Sequence, residues 1–327
     1  MTEKLDPNKV NFLYREFHDV PELNEKLSIF PHEISRFAYN ALQLQRIQAF
    51  IDEENEKGKR TVLIFGHDND YPISAYLKGS PIVFRYSMSK NHEYQDEYII
   101  PTKVKQFQAA AKVLPKMGWN ERPKVSFMGW SGVLKPIGVA PAPEEVYGEG
   151  EQGNERGLIS PLVFPTPANI GVVLRHQAIS VLEKDARIDT EFSIHNYYFY
   201  HHSEAFKLQK RQEYIESICN TQYVLTFRGC GNYSIRLFET MSAGRIPVML
   251  NTNQFLPFED KIPWRELGVW VELNELPKIG DKILERHNGF TEQGFEDAVK
   301  NVETIYHDYL SREAALVNIK RILESYL

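Results

Sequence analysis

Residues 223–250 read YVLTFRGCGNYSIRLFETMSAGRIPVML. The apolar run YVLTF predicts a buried strand, and IPVML, ending at Leu250, predicts a second. Between them lie a loop with Gly229 and Gly231 and a helical stretch that puts Ile235, Phe238 and Met241 on one face. Gly244 is the natural stop for that helix, and Asn232 or Ser234 would cap its start. Strand, loop, helix and strand make a βαβ unit, whose crossover is right-handed. This commits the second half of the chain to a parallel α/β sheet.

The loop carries the chemistry. Gly229 and Gly231 allow a tight backbone path and close approach of a ligand, and the helix start offers free N–H groups to a phosphate. Arg228 sits at the C-terminal end of the strand, where α/β sheets bind ligands. Arg236, one turn into the helix, reaches the same point. Two guanidinium groups can hold a diphosphate and stabilise it as it leaves. Glu239, three residues on, shares the face of Arg236 and can accept hydrogen bonds from ribose hydroxyls. The plainer alternative is a surface ion pair between Arg236 and Glu239, worth a few tenths of a kcal/mol. The glycines match neither the dinucleotide fingerprint nor the Walker loop.

Outward from this stretch the same alternation recurs. TVLIFG (61–66), PIVFRY (81–86), EYIIP (97–101), KVSFMGW (124–130) and VWVEL (269–273) predict further buried strands. Helical spacing is read over 31–56, over 170–185, over 201–219 and over much of 275–327. With 327 residues, two medium domains are expected. They divide as an α/β domain over 1–120, a second α/β domain over 121–308, and a helix over 309–327 that packs back on the first. Residues 131–171 form a Pro/Gly-rich insertion in the second domain, of the length expected for a lid or a disordered segment. Two such units fit two doubly wound domains facing each other across a cleft.

At this point the sequence resembles the exostosin-type glycosyltransferases. The resemblance lies in Arg228, Gly229, Ser234, Arg236, Leu237, Phe238 and Glu239, then Gly244, Pro247 and Val248, then Pro257, Phe258, Asp260, Ile262 and Trp264. Gly129, ending the strand KVSFMG, resembles the opening of the family's nucleotide domain, and Arg175 resembles the arginine of its next helix. EYIIP is similar to another family element. The resemblance implies a GT-B fold, an inverting reaction, a nucleotide-sugar donor that is usually a UDP-sugar, a glycan or glycoconjugate acceptor, and no obligatory metal or other cofactor. It implies Gly129, Arg175, Arg228, Gly229, Asn232, Ser234, Arg236 and Glu239 as the donor-binding set. Many retaining GT-B enzymes carry two glutamates eight positions apart; Glu239 matches the second, but Gly231 stands at the first, which favours inversion.

Inversion needs a base within reach of the acceptor hydroxyl. Asp68, His67 and Asp70 follow the strand TVLIFG and are the leading candidates, with Asp68 ahead; His92 and Glu93 are lesser ones. A hydrogen-bonded turn is the plainer account of GHDND, and Asp68-Asn69-Asp70 also has the form of a divalent-metal motif. The competing functions on the same fold are a nucleotide-sugar epimerase and a non-catalytic nucleotide- or sugar-binding module.

The net charge of −6 offers no global basic field for nucleic acid. Two cysteines imply no disulfide framework. The start MTEKLDPNKVNF has neither the basic-then-apolar form of a leader nor a spanning segment, so a cytoplasmic protein is expected, associated with the membrane face through its acceptor; a trimmed luminal domain would read the same way. Nothing in the sequence sets an oligomeric state.

Overall fold

The structure, a computed structural model, describes residues 10–34, 41–66, 68–131, 170–195 and 203–327. His67 and nearly all of the 131–171 insertion lie outside the described residues. The first domain holds β1 (Leu27–Ile34), β2 (Arg60–Phe65), β3 (Ile82–Arg85) and β4 (Glu97–Ile99), with α1 (Phe12–Phe17), α2 (Pro21–Asn24) and α3 (Ala41–Glu56). Its strands are all parallel and lie in chain order, β1-β2-β3-β4. In β2, Val62 and Ile64 face one core, with Leu13, Leu27 and Phe84, while Leu63 and Phe65 face another, with Ile47 and Ile51 of α3. Burial on both faces is what turns a parallel strand into an unbroken apolar run.

The helical spacing expected from Pro31 is corrected here. Residues up to Ile34 belong to β1, and α3 begins at Ala41. Proline donates no ladder hydrogen bond and is confined to edge strands and irregularities. β1 is the edge strand, and its register shifts between Ile29 and Glu33, around Pro31.

After β4 the chain crosses to the second domain. Val104 and Phe107, the latter in α4 (Lys105–Ala111), pack with Leu237, Phe238 and Met241. This domain holds β5 (Lys124–Trp130), α5 (Ile170–Leu182), β6 (Asp189–His195), α6 (Glu204–Cys219), β7 (Tyr223–Leu225), α7 (Ile235–Ser242), β8 (Ile246–Asn251), α8 (Trp264–Leu267), β9 (Val269–Glu272), α9 (Ile279–Asn288) and α10 (Glu292–Ile305). All its strands are parallel, in the order β6-β5-β7-β8-β9. The direction of winding reverses between β5 and β7, so the crevice at their C-terminal ends is the switch point where such sheets take ligands. One detail of the helix face differs from expectation: Ile235 is 47% exposed, and Leu237 takes the inward place beside Phe238 and Met241.

α11 (Arg312–Glu324) returns to the first domain, where Ile319 and Leu323 join its core. Two parallel-sheet α/β domains of this kind make the GT-B architecture. They are clamped through residues 87–91 and 252–255. Asn232 N–H donates to Ser87 Oγ at 2.8 Å, Lys90 N–H to the Asn253 carbonyl at 2.6 Å, and Ser89 bridges Gln254 in antiparallel fashion.

Candidate active site

The site is built around the winding reversal. β5 ends in Gly129 at φ +150°, and a Cβ there would lie 3.1 Å from Nη2 of Arg236. The missing side chain lets Arg236 lie along the strand end. Its Nη2 donates to the Met128 carbonyl at 2.6 Å, and its guanidinium sits 4.2 Å from the centroid of the Phe127 ring. α5 approaches from the other side through Gly171, where a Cβ would fall 2.4 Å from the carbonyl oxygens of Arg228 and Gly229. That approach delivers Arg175, which donates to the Trp130 carbonyl at 3.1 Å and to the Arg228 carbonyl. The loop is closed by Gly229 N–H on the Tyr233 carbonyl at 3.0 Å.

A cavity of about 350 Å³ opens at this point. From the second domain it is lined by Arg175, Gly229, Ser234, Arg236 and Glu239 of the expected donor set, together with Tyr214; Asp68 lines it from the first domain. Gly129 lies directly behind Arg236. Tyr214, which the sequence does not single out, donates its hydroxyl to Glu239 Oε2. Burial holds the Glu239 carboxyl above the usual range, offset by the Tyr214 hydrogen bond and the charge of Arg236. Burial, then the Glu239 charge, also pushes the Tyr214 hydroxyl up. No Arg236–Glu239 surface pair forms among the described residues; both side chains face the cavity.

Two expected donor residues take other places. Arg228 folds over its own loop, Nη2 donating to the Cys230 carbonyl at 3.0 Å. Burial pushes its guanidinium down, while the carboxylates of Asp70 and Asp68 draw it back up. The bond to Cys230 stiffens the loop from within. Asn232 is 1% exposed and bridges the domains, with Nδ2 donating to the Thr252 carbonyl at 3.1 Å and Oδ1 accepting from Thr252 Oγ1 at 2.7 Å. Of the two capping alternatives, Ser234 takes the N-cap position of α7, without a side-chain capping bond, while Asn232 is engaged in this bridge. The Nε atoms of Arg228 and Arg236 are buried with no hydrogen-bond partner among the described residues.

On the facing side Asp68 lies against Gly231 and Tyr233. Burial, and then the Asp68 carboxylate, pushes the Tyr233 hydroxyl up. Asp70 does not line the cavity, and its charge is felt by Arg228. His92 and Glu93 line a separate groove of about 820 Å³ between the domains. A second carboxylate, Glu33, comes from the end of β1. Its Oε1 occupies the space a side chain on Gly66 would fill, 1.9 Å from the Cβ position. Burial raises its pKa, partly offset by Lys103, and its charge is felt by Tyr86 and Tyr233. Reading 27–34 as a strand would have flagged it, as an acid next to a strand's C-terminal end. Among the described residues no helix is long and apolar enough to cross a membrane.

Two arginine side chains on one wall of the cavity suit an anionic diphosphate. Glu239 can take hydroxyl hydrogens, and Asp68 presents a carboxyl group on the opposite wall.

Comparison with known proteins agrees with the resemblance read from Arg228 to Trp264. Residues 174–287 match the family model of the Exostosin GT47 domain. A probable glucuronosyltransferase of Oryza sativa subsp. japonica is 41% identical over 71 residues, covering 22% of this chain and 17% of that protein. Exostosin-1 of Drosophila melanogaster is 35% identical over 73 residues, covering 22% and 10%. A probable beta-1,4-xylosyltransferase of Arabidopsis thaliana is 38% identical over 71 residues, covering 22% and 17%. The aligned stretch thus spans at most 17% of the length of these relatives. Among solved structures, the crystal structure of TarM aligns with a TM-score of 0.41 at 10% identity, covering 86% of this chain and 58% of that one.

Proposed function

We propose that this chain is an inverting glycosyltransferase that moves a sugar from a UDP-sugar to a hydroxyl of a glycan or glycoconjugate. The observation that carries this is the single cavity in which Arg175, Arg236 and Glu239 of one domain face Asp68 of the other. Asp68 takes the proton of the acceptor hydroxyl. The freed oxygen attacks the anomeric carbon, and the bond from that carbon to the diphosphate breaks. The UDP leaves with its negative charge against Arg236 and Arg175. Glu239 holds the ribose. Gly231, at the place where many retaining enzymes carry the first of two glutamates, supports inversion, Glu239 standing at the second.

The relatives' names make UDP-glucuronate and UDP-xylose the first donors to try. A thermal-shift screen of UDP-, GDP-, CMP- and dTDP-sugars tests the donor class, and stabilisation by UDP compounds alone is expected. No stabilisation by any UDP compound removes the proposal. A donor-only incubation tests the chemistry: a new sugar nucleotide appearing without acceptor makes the chain an epimerase instead. Binding without hydrolysis or transfer makes it a nucleotide-binding module.

A further inference from the structure

Arg85, the last residue of β3, is fully buried, at 0% exposure. Its Nη1 donates to the Tyr71 carbonyl at 2.9 Å and its Nη2 to the Asn69 carbonyl at 2.5 Å. Nη1 also meets Glu97 Oε2 at 2.5 Å, in an ion pair with side-chain exposures of 0% and 1%. The carbonyl between the two, that of Asp70, accepts from the Tyr94 hydroxyl. Three consecutive carbonyls are therefore each held by a side chain from elsewhere in the first domain. Glu97 closes the far end, its Oε1 accepting from Ile73 N–H at 2.6 Å. The guanidinium is stacked 4.9 Å from the Phe65 ring centroid and 5.4 Å from that of Tyr94.

A buried ion pair is a weak source of stability, because desolvation offsets the attraction. What this one provides is geometry. Among the described residues the segment after β2 has no ladder partner for these carbonyls, and carbonyls drawn partly out of water need donors. A planar guanidinium supplies several N–H groups in a fixed fork, which an ammonium group cannot. Glu97 neutralises the fork and ties it to the next turn. The segment so fixed begins one residue after Asp68.

We propose that Arg85, compensated by Glu97, is a positioning residue that holds the segment 69–71 and thereby sets Asp68 opposite Arg236. It touches neither substrate nor reacting atoms. The inference rests on Asp68 being the acceptor-side base.

The test uses the full chain with Arg85→Lys, and Arg85→Met/Glu97→Gln as a second variant that leaves no unpaired buried charge. Hydrogen exchange over residues 68–77 is expected to speed up about tenfold or more, with the second-domain peptides unchanged. UDP affinity by calorimetry should stay within about twofold, since the bonds from Arg175 to Trp130, from Arg236 to Met128 and from Tyr214 to Glu239 lie within the second domain. UDP release from UDP-glucuronate or UDP-xylose, with water as acceptor, should fall about a hundredfold in kcat at unchanged donor KM. In an Asp68→Asn background the Arg85 change should cost no further kcat. Unchanged exchange over 68–77 in both variants overturns the proposal, as do kcat losses of Arg85→Lys and Asp68→Asn that multiply. A fully active Asp68→Asn variant is a different result: it removes the base, while the exchange data still decide whether Arg85 holds the segment.

Discussion

Asp68 and Gly231 meet across the cleft: Oδ1 of Asp68 lies 3.0 Å from the point a Cβ on Gly231 would occupy. This first-domain carboxyl group thus rests against the glycine loop of the second domain, and a side chain at 231 would stand between them. The same Cβ would fall 2.7 Å from the Tyr233 ring. Gly231→Ala should therefore move both Tyr233 and Asp68. Turnover is expected to drop about tenfold to a hundredfold, with little change in UDP affinity. Equal turnover in steady-state kinetics would show that the contact has no role.

Arg236→Ala removes the side chain that lies over Phe127 and faces the cavity. A charge-assisted hydrogen bond is worth about 1.5–3 kcal/mol, so UDP should bind about tenfold to a hundredfold more weakly by calorimetry. Arg236→Lys should recover only part of this, because a point charge cannot reproduce the fork. Unchanged affinity in the alanine variant would falsify the donor-site assignment.

The two first-domain carboxyl groups, Asp68 and Glu33, should separate kinetically. Asp68→Asn is expected to lower kcat about a hundredfold to ten-thousandfold while sparing UDP binding. Glu33→Gln keeps the shape against Gly66 and should act mainly on acceptor KM. If Glu33→Gln instead abolishes turnover and Asp68→Asn does not, the base is Glu33.

Gly171→Ala drives a methyl group into the carbonyls of Arg228 and Gly229, and backbone cannot yield as a side-chain tip can. The chain should lose about 1–3 kcal/mol of stability, read by denaturant unfolding. UDP should also bind more weakly, because Arg175 moves with α5. A variant with wild-type stability and affinity would mean that α5 does not set the loop.

Stability should fall in mild acid through His287. Its ring accepts from the Tyr223 hydroxyl at Nδ1, 3.1 Å, and donates from Nε2 to the Asn120 carbonyl at 2.7 Å, so the neutral form satisfies both nitrogens. Burial pushes its pKa below 6.5. The unfolded chain therefore takes up a proton that the fold refuses. Stability is full above about pH 6.5 and declines as the pH falls through that value toward the lowered folded pKa. His195, also lowered by burial, adds to the same window. His287→Gln should flatten this decline in thermal melts between pH 7 and pH 5, values set by the histidine range of about 6.5. An unchanged slope would assign the acid sensitivity elsewhere.

Much of the second domain was legible in the sequence. β5 and β8 are buried on both faces, so their apolar runs stand out, and Gly129, Gly229 and Arg236 lie at strand and helix ends that local pattern marks. β6 was not legible. Its residues Asp189–His195 are mostly half-exposed or exposed, because it is an edge strand defined by its pairing with β5. β1 was missed for a related reason, with Pro31 breaking the ladder pattern. Glu33, at the end of that strand, was lost with it.

The sequence by itself determined the βαβ unit at 223–250, the parallel sheets and the residue types able to hold a diphosphate, because each depends on neighbours within a few positions. Only the tertiary structure decided which of those residues share a cavity. Arg236 reaches Met128 across 108 residues, and Asn232 reaches Ser87 across 145. It turned Arg228 back over its own loop, made Asn232 a bridge between domains, and brought Tyr214, Glu33 and Arg85 into the account. Such convergence is fixed by where strand ends meet and by which buried polar groups must find partners, and no local periodicity carries that information.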